Sequence, residues 1–306
     1  MFKKLVSGCC PILFLIFLSF NSYAQQRTVY SQYMFNGLVL NPAYAGNQKQ
    51  LSATGLYRKQ WINLDGAPTS LNATVHAGFA KKKVGLGLMV TKEEIGVHND
   101  AGVYLSYAYK VVMKQGVLSM GLQAGFNYLQ SDFTKLSRQD PTDPILYMNI
   151  NSFNPNFGSG IFYSTPSTYV GLSVPYILNN KIIDGESILS FAREYRYYFL
   201  TAGRVIEYSK EVKFKPSVLL RLHENSPLGF DANMNMILNN IVTLGVSYRS
   251  SDSFVGLFQI QANENFGFGY AYDYTLSALN AYSRGSHEIM LNYRIRLSHN
   301  PCHTYF

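Results

Sequence analysis

Beyond residue 24 this chain alternates apolar and polar residues over one long run after another, and none of its apolar stretches is long enough for a membrane-spanning helix. Successive side chains of a strand point to opposite faces, so a period of two assigns one face to an apolar medium and the other to a polar one. In 72–79, Ala73, Val75, Ala77 and Phe79 share one face, against Asn72, Thr74, His76 and Gly78. Val84, Leu86, Leu88 and Val90 oppose Gly85 and Gly87. The longest run sets Leu118, Met120, Leu122, Ala124, Phe126 and Tyr128 against Ser119, Gly121, Gln123, Gly125 and Asn127. Phe266, Phe268, Tyr270 and Tyr272 oppose Asn265, Gly267, Gly269 and Asp273, and Leu291, Tyr293, Ile295 and Leu297 oppose Asn292, Arg294 and Arg296.

A soluble sandwich alternates too, but three features point to a barrel in a membrane. The runs span about 10 to 14 residues, against about 5 or 6 in globular sheets. Their polar face carries Gly, Ser, Asn and Gln, where a water-exposed face would carry Lys and Glu. Tyrosines gather toward strand ends, as at Tyr104, Tyr107 and Tyr109, where interfacial girdles sit. Composition agrees: 15% aromatic and only 14% charged residues, against roughly 25% charged in ordinary soluble domains.

The pattern predicts an all-β fold: a single antiparallel transmembrane β-barrel of about 14 strands, the even number that single-chain bacterial barrels adopt. The strands are expected at 51–63, 68–79, 83–94, 100–113, 116–131, 153–164, 167–176, 194–207, 211–223, 227–238, 241–250, 253–262, 265–274 and 286–297. The longest connections then follow strands 5, 7 and 13. With both termini periplasmic, odd connections are extracellular, where long loops belong. The expected layout is a signal peptide at 1–24, a lead-in segment at 25–50, the barrel at 51–298 and a tail at 299–306.

The signal peptide is read from Lys3 and Lys4, the apolar run from Pro11 to Phe20, and the small-x-small site Ser22-Tyr23-Ala24. Its removal takes two lysines from a formal charge of +8, and Cys9 and Cys10 with them, leaving Cys302 and no internal disulfide. The remaining basic residues form no helical stripe, so nucleic acid is not an expected partner. The lead-in has no period, and Asn41-Pro42 bars a helix there; it is suited either to plug the lumen or to line the periplasmic mouth.

Chemistry is sparse. His76, His98, His223, His287, His299 and His303 are scattered without metal-ligand spacing, and no nucleophile elbow or phosphate loop occurs. The His299, Cys302, His303 cluster lies in the tail, and Asp140-Pro141-Thr142-Asp143-Pro144 reads as a rigid turn. The expectation is no enzyme, no cofactor and no metal. Arg249, Arg294 and Arg296 fall on polar faces, suited to tune a channel or to pair with carboxylates. The phase of Arg58 is open.

One stretch is distinctive. Asn36 precedes Leu40-Asn41-Pro42-Ala43-Tyr44-Ala45-Gly46, and Tyr57-Arg58-Lys59-Gln60-Trp61 is followed by Gly66-Ala67-Pro68. This combination resembles the opening signature of the PorP/SprF family, outer-membrane proteins of the type IX secretion system. The resemblance implies a non-enzymatic outer-membrane component that supports export or surface attachment of large cell-surface proteins such as gliding adhesins. Its implied partners are a secreted surface protein with a C-terminal sorting domain, periplasmic ring or motor components, and outer-membrane lipid. The partner-binding candidates are Asn36, Asn41, Pro42, Tyr44, Gly46, Tyr57, Arg58, Gln60, Trp61, Gly66, Ala67 and Pro68. Trp61 suits an interfacial anchor or, with its neighbours, a docking surface. A passive porin or uptake channel shares the compositional features and is the alternative; a membrane-embedded lipid enzyme is a third class.

Overall fold

The computed structural model describes residues 28–47, 50–79, 83–135, 149–180, 196–223 and 227–296. The signal segment, the tail with Cys302 and the 140–144 turn lie outside the described residues.

Alternating sequence becomes alternating burial along fourteen strands: β1 (Gln50–Lys59), β2 (Thr69–Phe79), β3 (Val84–Ile95), β4 (His98–Val112), β5 (Val117–Asp132), β6 (Asn149–Ser164) and β7 (Thr168–Val174), then β8 (Tyr197–Arg204, resuming as Ile206–Glu207), β9 (Val212–His223), β10 (Gly229–Leu238), β11 (Val242–Arg249), β12 (Ser253–Gln261), β13 (Phe266–Thr275) and β14 (Ser286–Arg296). The break in β8 at Val205 falls between the Gly203↔Ser217 and Ile206↔Phe214 pairs, a stretch where β9 carries Pro216, which has no N–H to donate to a ladder. Every neighbouring pair is antiparallel, and β14 pairs back onto β1 from Gln50↔Arg296 to Lys59↔His287, so the sheet closes into a 14-stranded barrel. Among the described residues every strand has a neighbour on both sides, as a lipid environment demands.

The outward face is apolar and exposed: Leu71, Leu86, Leu105, Leu122, Phe157, Val246 and Leu291 all project from the wall. The inward face is Ser, Thr, Asn, Gln and Gly, largely buried. At the odd-connection end the lipid-facing belt stops at an aromatic level. Tyr128 lies opposite Phe153, and the next outward pairs are Gln130 with Asn151 and Asp132 with Asn149.

The even connections are three or four residues each, whereas 133–148, 175–196 and 276–285 all follow odd strands. By the habit of bacterial barrels the odd end is the extracellular one. Three local expectations are corrected. The first strand ends at Lys59, not at 63, because Trp61 (φ 43°) and Asn63 (φ 75°) adopt left-handed turn conformations. The sixth begins at Asn149, because Asn149 to Ser152 pair with β5 beyond the lipid belt. Tyr104 belongs to no girdle: it shares the inward parity of Gly102 and Ser106, is 1% exposed and packs edge-on against Tyr176.

Candidate functional site

The lumen is filled by the lead-in. Residues 30–46 are almost all buried, although only three short 3-10 turns, Tyr33–Phe35, Gly37–Val39 and Pro42–Tyr44, give the segment regular structure. The sequence dictates the last of these locally. Asn41 precedes a proline and is held extended (φ −143°, ψ 115°), its Oδ1 accepts from the Ala43 N–H at 2.9 Å, and Pro42 occupies the first helical position. The segment starts near the extracellular end, where the Thr28 and Ser70 hydroxyls bond at 2.9 Å. It descends through the lumen, and Gly46 (φ 61°) turns it toward β1 at the periplasmic end.

The upper anchor is a buried charge cluster. Arg58 sets Nη2 on Asp273 Oδ2 at 2.7 Å and Nη1 on Glu288 Oε2 at 3.3 Å, and all three side chains are at most 2% exposed. Into this cluster the lead-in inserts Ser31, whose N–H donates to Glu288 Oε2 at 2.7 Å and whose hydroxyl donates to Asp273 Oδ2 at 2.7 Å. The same hydroxyl accepts from Arg58 Nη1 at 2.8 Å, and the Gln32 N–H donates to Glu288 Oε1 at 2.8 Å. Arg249 carries the network from Asp273 (3.7 Å) to Asp231 (3.1 Å), where Arg221 joins at 2.9 Å. Desolvation makes such a cluster weak in net stability, but removal of one partner leaves an uncompensated buried charge. The cluster ties the lead-in to β1, β13 and β14.

Below it, Asn233 Nδ2 donates to the Tyr33 hydroxyl at 2.6 Å, and the Thr74 hydroxyl donates to Asn36 Oδ1 at 3.1 Å. At the lower anchor Asn41 Nδ2 donates to the wall carbonyl of Ile161 at 3.0 Å, and the Ser173 hydroxyl donates to the Leu40 carbonyl at 2.6 Å. Tyr44 packs edge-on against His76 and Phe162, each with ring centroids 5.6 Å apart. The Gly46 N–H donates to His76 Nδ1 at 3.2 Å, and Lys110 Nζ donates to the Gly46 carbonyl.

The wall is carved for this segment. A Cβ on Gly85 would lie 2.0 Å from the Ala45 carbonyl oxygen, one on Gly121 would lie 2.1 Å from the Ala43 nitrogen, and one on Gly160 would lie 2.1 Å from Asn41 Oδ1. The glycines of the polar face, which the sequence assigns to a lumen, are the bed of a plug.

The twelve sequence candidates therefore divide. Asn36, Asn41, Pro42, Tyr44, Gly46 and Arg58 all lie inside the lumen, Arg58 toward its extracellular end and Gly46 at its periplasmic end. Tyr57 faces the lipid, 44% exposed, on the opposite side of β1 from Arg58. Gln60, Trp61, Gly66, Ala67 and Pro68 build the first extracellular connection: the Gln60 N–H donates to the Pro68 carbonyl (2.9 Å), the Trp61 N–H to Ser286 Oγ (3.1 Å), and the Gly96 N–H to the Gly66 carbonyl (3.0 Å). Ser31, Asp273, Glu288 and Asn233 were missed as site residues. Polar parity on their strands was the signal for the three wall residues, and nothing local marks Ser31.

The family model described as "Type IX secretion system membrane protein PorP/SprF" matches residues 22–293. The chain belongs to the PorP/SprF family. No curated protein matches it. Among solved structures, this PorP/SprF chain is similar to the toluene transporter TbuX of Ralstonia pickettii, with a TM-score of 0.52 at 11% identity over 86% of this chain and 93% of that one. The outer membrane protein Omp33 of Acinetobacter baumannii gives 0.46 at 11% identity, over 82% of this chain and 100% of that one. The NanC porin gives 0.42 at 11% identity, over 80% and 100%. At such identity the likeness to TbuX speaks for the fold alone. Family membership and the closed 14-stranded barrel place this PorP/SprF chain in the outer membrane.

Proposed function

We propose that this protein is a non-enzymatic docking barrel of the type IX secretion system, which supports export or surface attachment of a large cell-surface protein without conducting that cargo through its own lumen. One observation carries the reading: the lumen is filled by the chain's own lead-in, anchored by buried ion pairs above and by carved glycine contacts below. A filled lumen leaves the two rims for partners. The extracellular connections, including the Gln60–Pro68 turn of the family signature, are the surface for a secreted protein with a C-terminal sorting domain. The short periplasmic turns are the surface for ring or motor components. The lead-in itself is spent inside the lumen, so it is not a periplasmic docking arm.

The same observation weighs against a passive porin, which needs a continuous polar passage. Affinity capture of the protein from gently solubilised outer membranes, with identification of what accompanies it, tests the reading. A surface protein bearing a sorting domain, or periplasmic ring components, is the expected company. Recovery of the barrel alone, together with steady ion conduction when it is placed in planar bilayers, would overturn the docking reading in favour of a porin.

A further inference from the structure

On the lipid-facing side of the wall a hollow of about 800 Å³ crosses β7 to β12. One bank follows a row of ladder partners, Val170, Ala202, Val218, Ala232, Tyr248 and Phe254, in which two alanines stand between larger side chains. The other bank is Arg204, Pro216, Met234 and Val246. Val170 lies near the periplasmic start of β7 and Phe254 beside the extracellular start of β12, so the hollow climbs obliquely through the membrane. Five strand spacings of about 4.8 Å make it roughly 24 Å long. Across strands tilted by about 40°, that length rises roughly 15 Å. The hydrocarbon core is about 30 Å thick, so the acyl chains of one leaflet span about the same depth.

A second hollow, of about 490 Å³, lies alongside the first and shares Met234 and Val246 with it. Its far bank is the next outward row, Met236, Leu244, Phe258 and Tyr270. Gly256 extends the dividing row without a side chain, and a Cβ there would meet nothing within 4 Å. Arg204 is the one charged residue that lines either hollow. It is exposed at the periplasmic end of β8 and makes no ion pair or side-chain hydrogen bond among the described residues. Glu207, three residues on, is paired with Lys213 at 3.8 Å.

We propose that this face binds a diacyl glycerophospholipid of the periplasmic leaflet. The Arg204 guanidinium donates its paired N–H groups to the phosphate, a match of planar fork to oxyanion that a hydrated surface charge does not supply. One acyl chain lies in the oblique hollow and the other in its neighbour, on either side of Met234 and Val246. A lipid of the outer leaflet would set its phosphate at the opposite end of β8, away from Arg204. The proposal stands independently of the docking reading above, since it needs only the barrel in its membrane.

Native mass spectrometry of the purified full-length barrel, released from detergent, tests it. The probes are dioleoylphosphatidylglycerol, oleoyl-lysophosphatidylglycerol, dioleoylglycerol and lipid A. Retention of one phosphatidylglycerol per barrel is expected. Dioleoylglycerol, which lacks the phosphate, and the lysolipid, which fills one hollow, should each be retained at least about tenfold more weakly. Arg204→Gln should weaken retention by about tenfold or more, and Ala232→Phe, which fills the hollow and leaves the charge, should do the same. Lys114→Gln removes a periplasmic cation from the β4–β5 turn, outside both hollows, and should change nothing. No retention, equal retention of dioleoylglycerol or the lysolipid, preference for lipid A, or an equal loss in Lys114→Gln would overturn the proposal. So would a lipid-free dimer that Ala232→Phe dissociates, which would give the face to a second copy of the chain. Retention of the heat-modifiable barrel band qualifies each variant. Should none insert, the comparison of phosphatidylglycerol with dioleoylglycerol on the unaltered protein decides.

Discussion

Arg58 and Tyr57 are consecutive, yet one lies among carboxylates in the lumen and the other in the lipid belt, because a strand turns its side chains by half a revolution at each step. Arg58→Met keeps the volume and removes the charge, leaving Glu288 buried without its cation and Asp273 with only Arg249, at 3.7 Å. A loss of about 3–5 kcal/mol is expected, read as a lower temperature for the heat-modified shift on gels. Gly121 tests the opposite end of the lead-in. With Ala43 fully buried, a cysteine reporter at Ala43→Cys should resist maleimide in the parent barrel. Adding Gly121→Val, whose Cβ falls on the Ala43 backbone, should make it react. Continued protection would mean that the wall gives way instead of the plug.

The lead-in depends on the barrel for its conformation. Its 3-10 turns are short, a form that rarely persists alone, and its hydrogen-bond partners in the wall lie on β1, β2, β4, β6, β7, β10, β13 and β14. The wall depends less on the lead-in, since its inward face is polar enough to hold water. Deletion of residues 28–47 should therefore leave a folded barrel and turn a closed lumen into a conducting one. Planar-bilayer recordings that stay silent for the deletion would show that other parts of the chain seal the pore.

For the molecule as a whole, the decisive partition is between lipid and lumen. Leu105 projects into the lipid at 65% exposure while its neighbour Ser106 is buried inside. Leu105→Arg should cost about 2–4 kcal/mol if it lies near the bilayer midplane, measured by denaturant unfolding in lipid vesicles, and a charge at Lys110 on the luminal side is already tolerated through the lead-in carbonyl it meets. This contrast makes the barrel a membrane protein with an interior closer to that of a soluble core than to a channel.

The number of strands, their approximate positions and the face of most residues were legible in the sequence, because in a barrel wall side-chain direction follows from parity and the surrounding media differ sharply across it; Arg58 and Tyr104 were the exceptions, both buried inside. Asn41 and Pro42 announced their turn by backbone restriction alone. The charge cluster was not legible: Ser31 and Arg58 are separated from Asp273 and Glu288 by most of the chain, and their meeting depends on the ring closing between β1 and β14. Nor did the luminal glycines disclose their purpose, since a missing side chain looks the same whether water or another segment fills the space. Local periodicity set the wall, whereas the plugging of the lumen was settled by long-range closure, which no local pattern encodes.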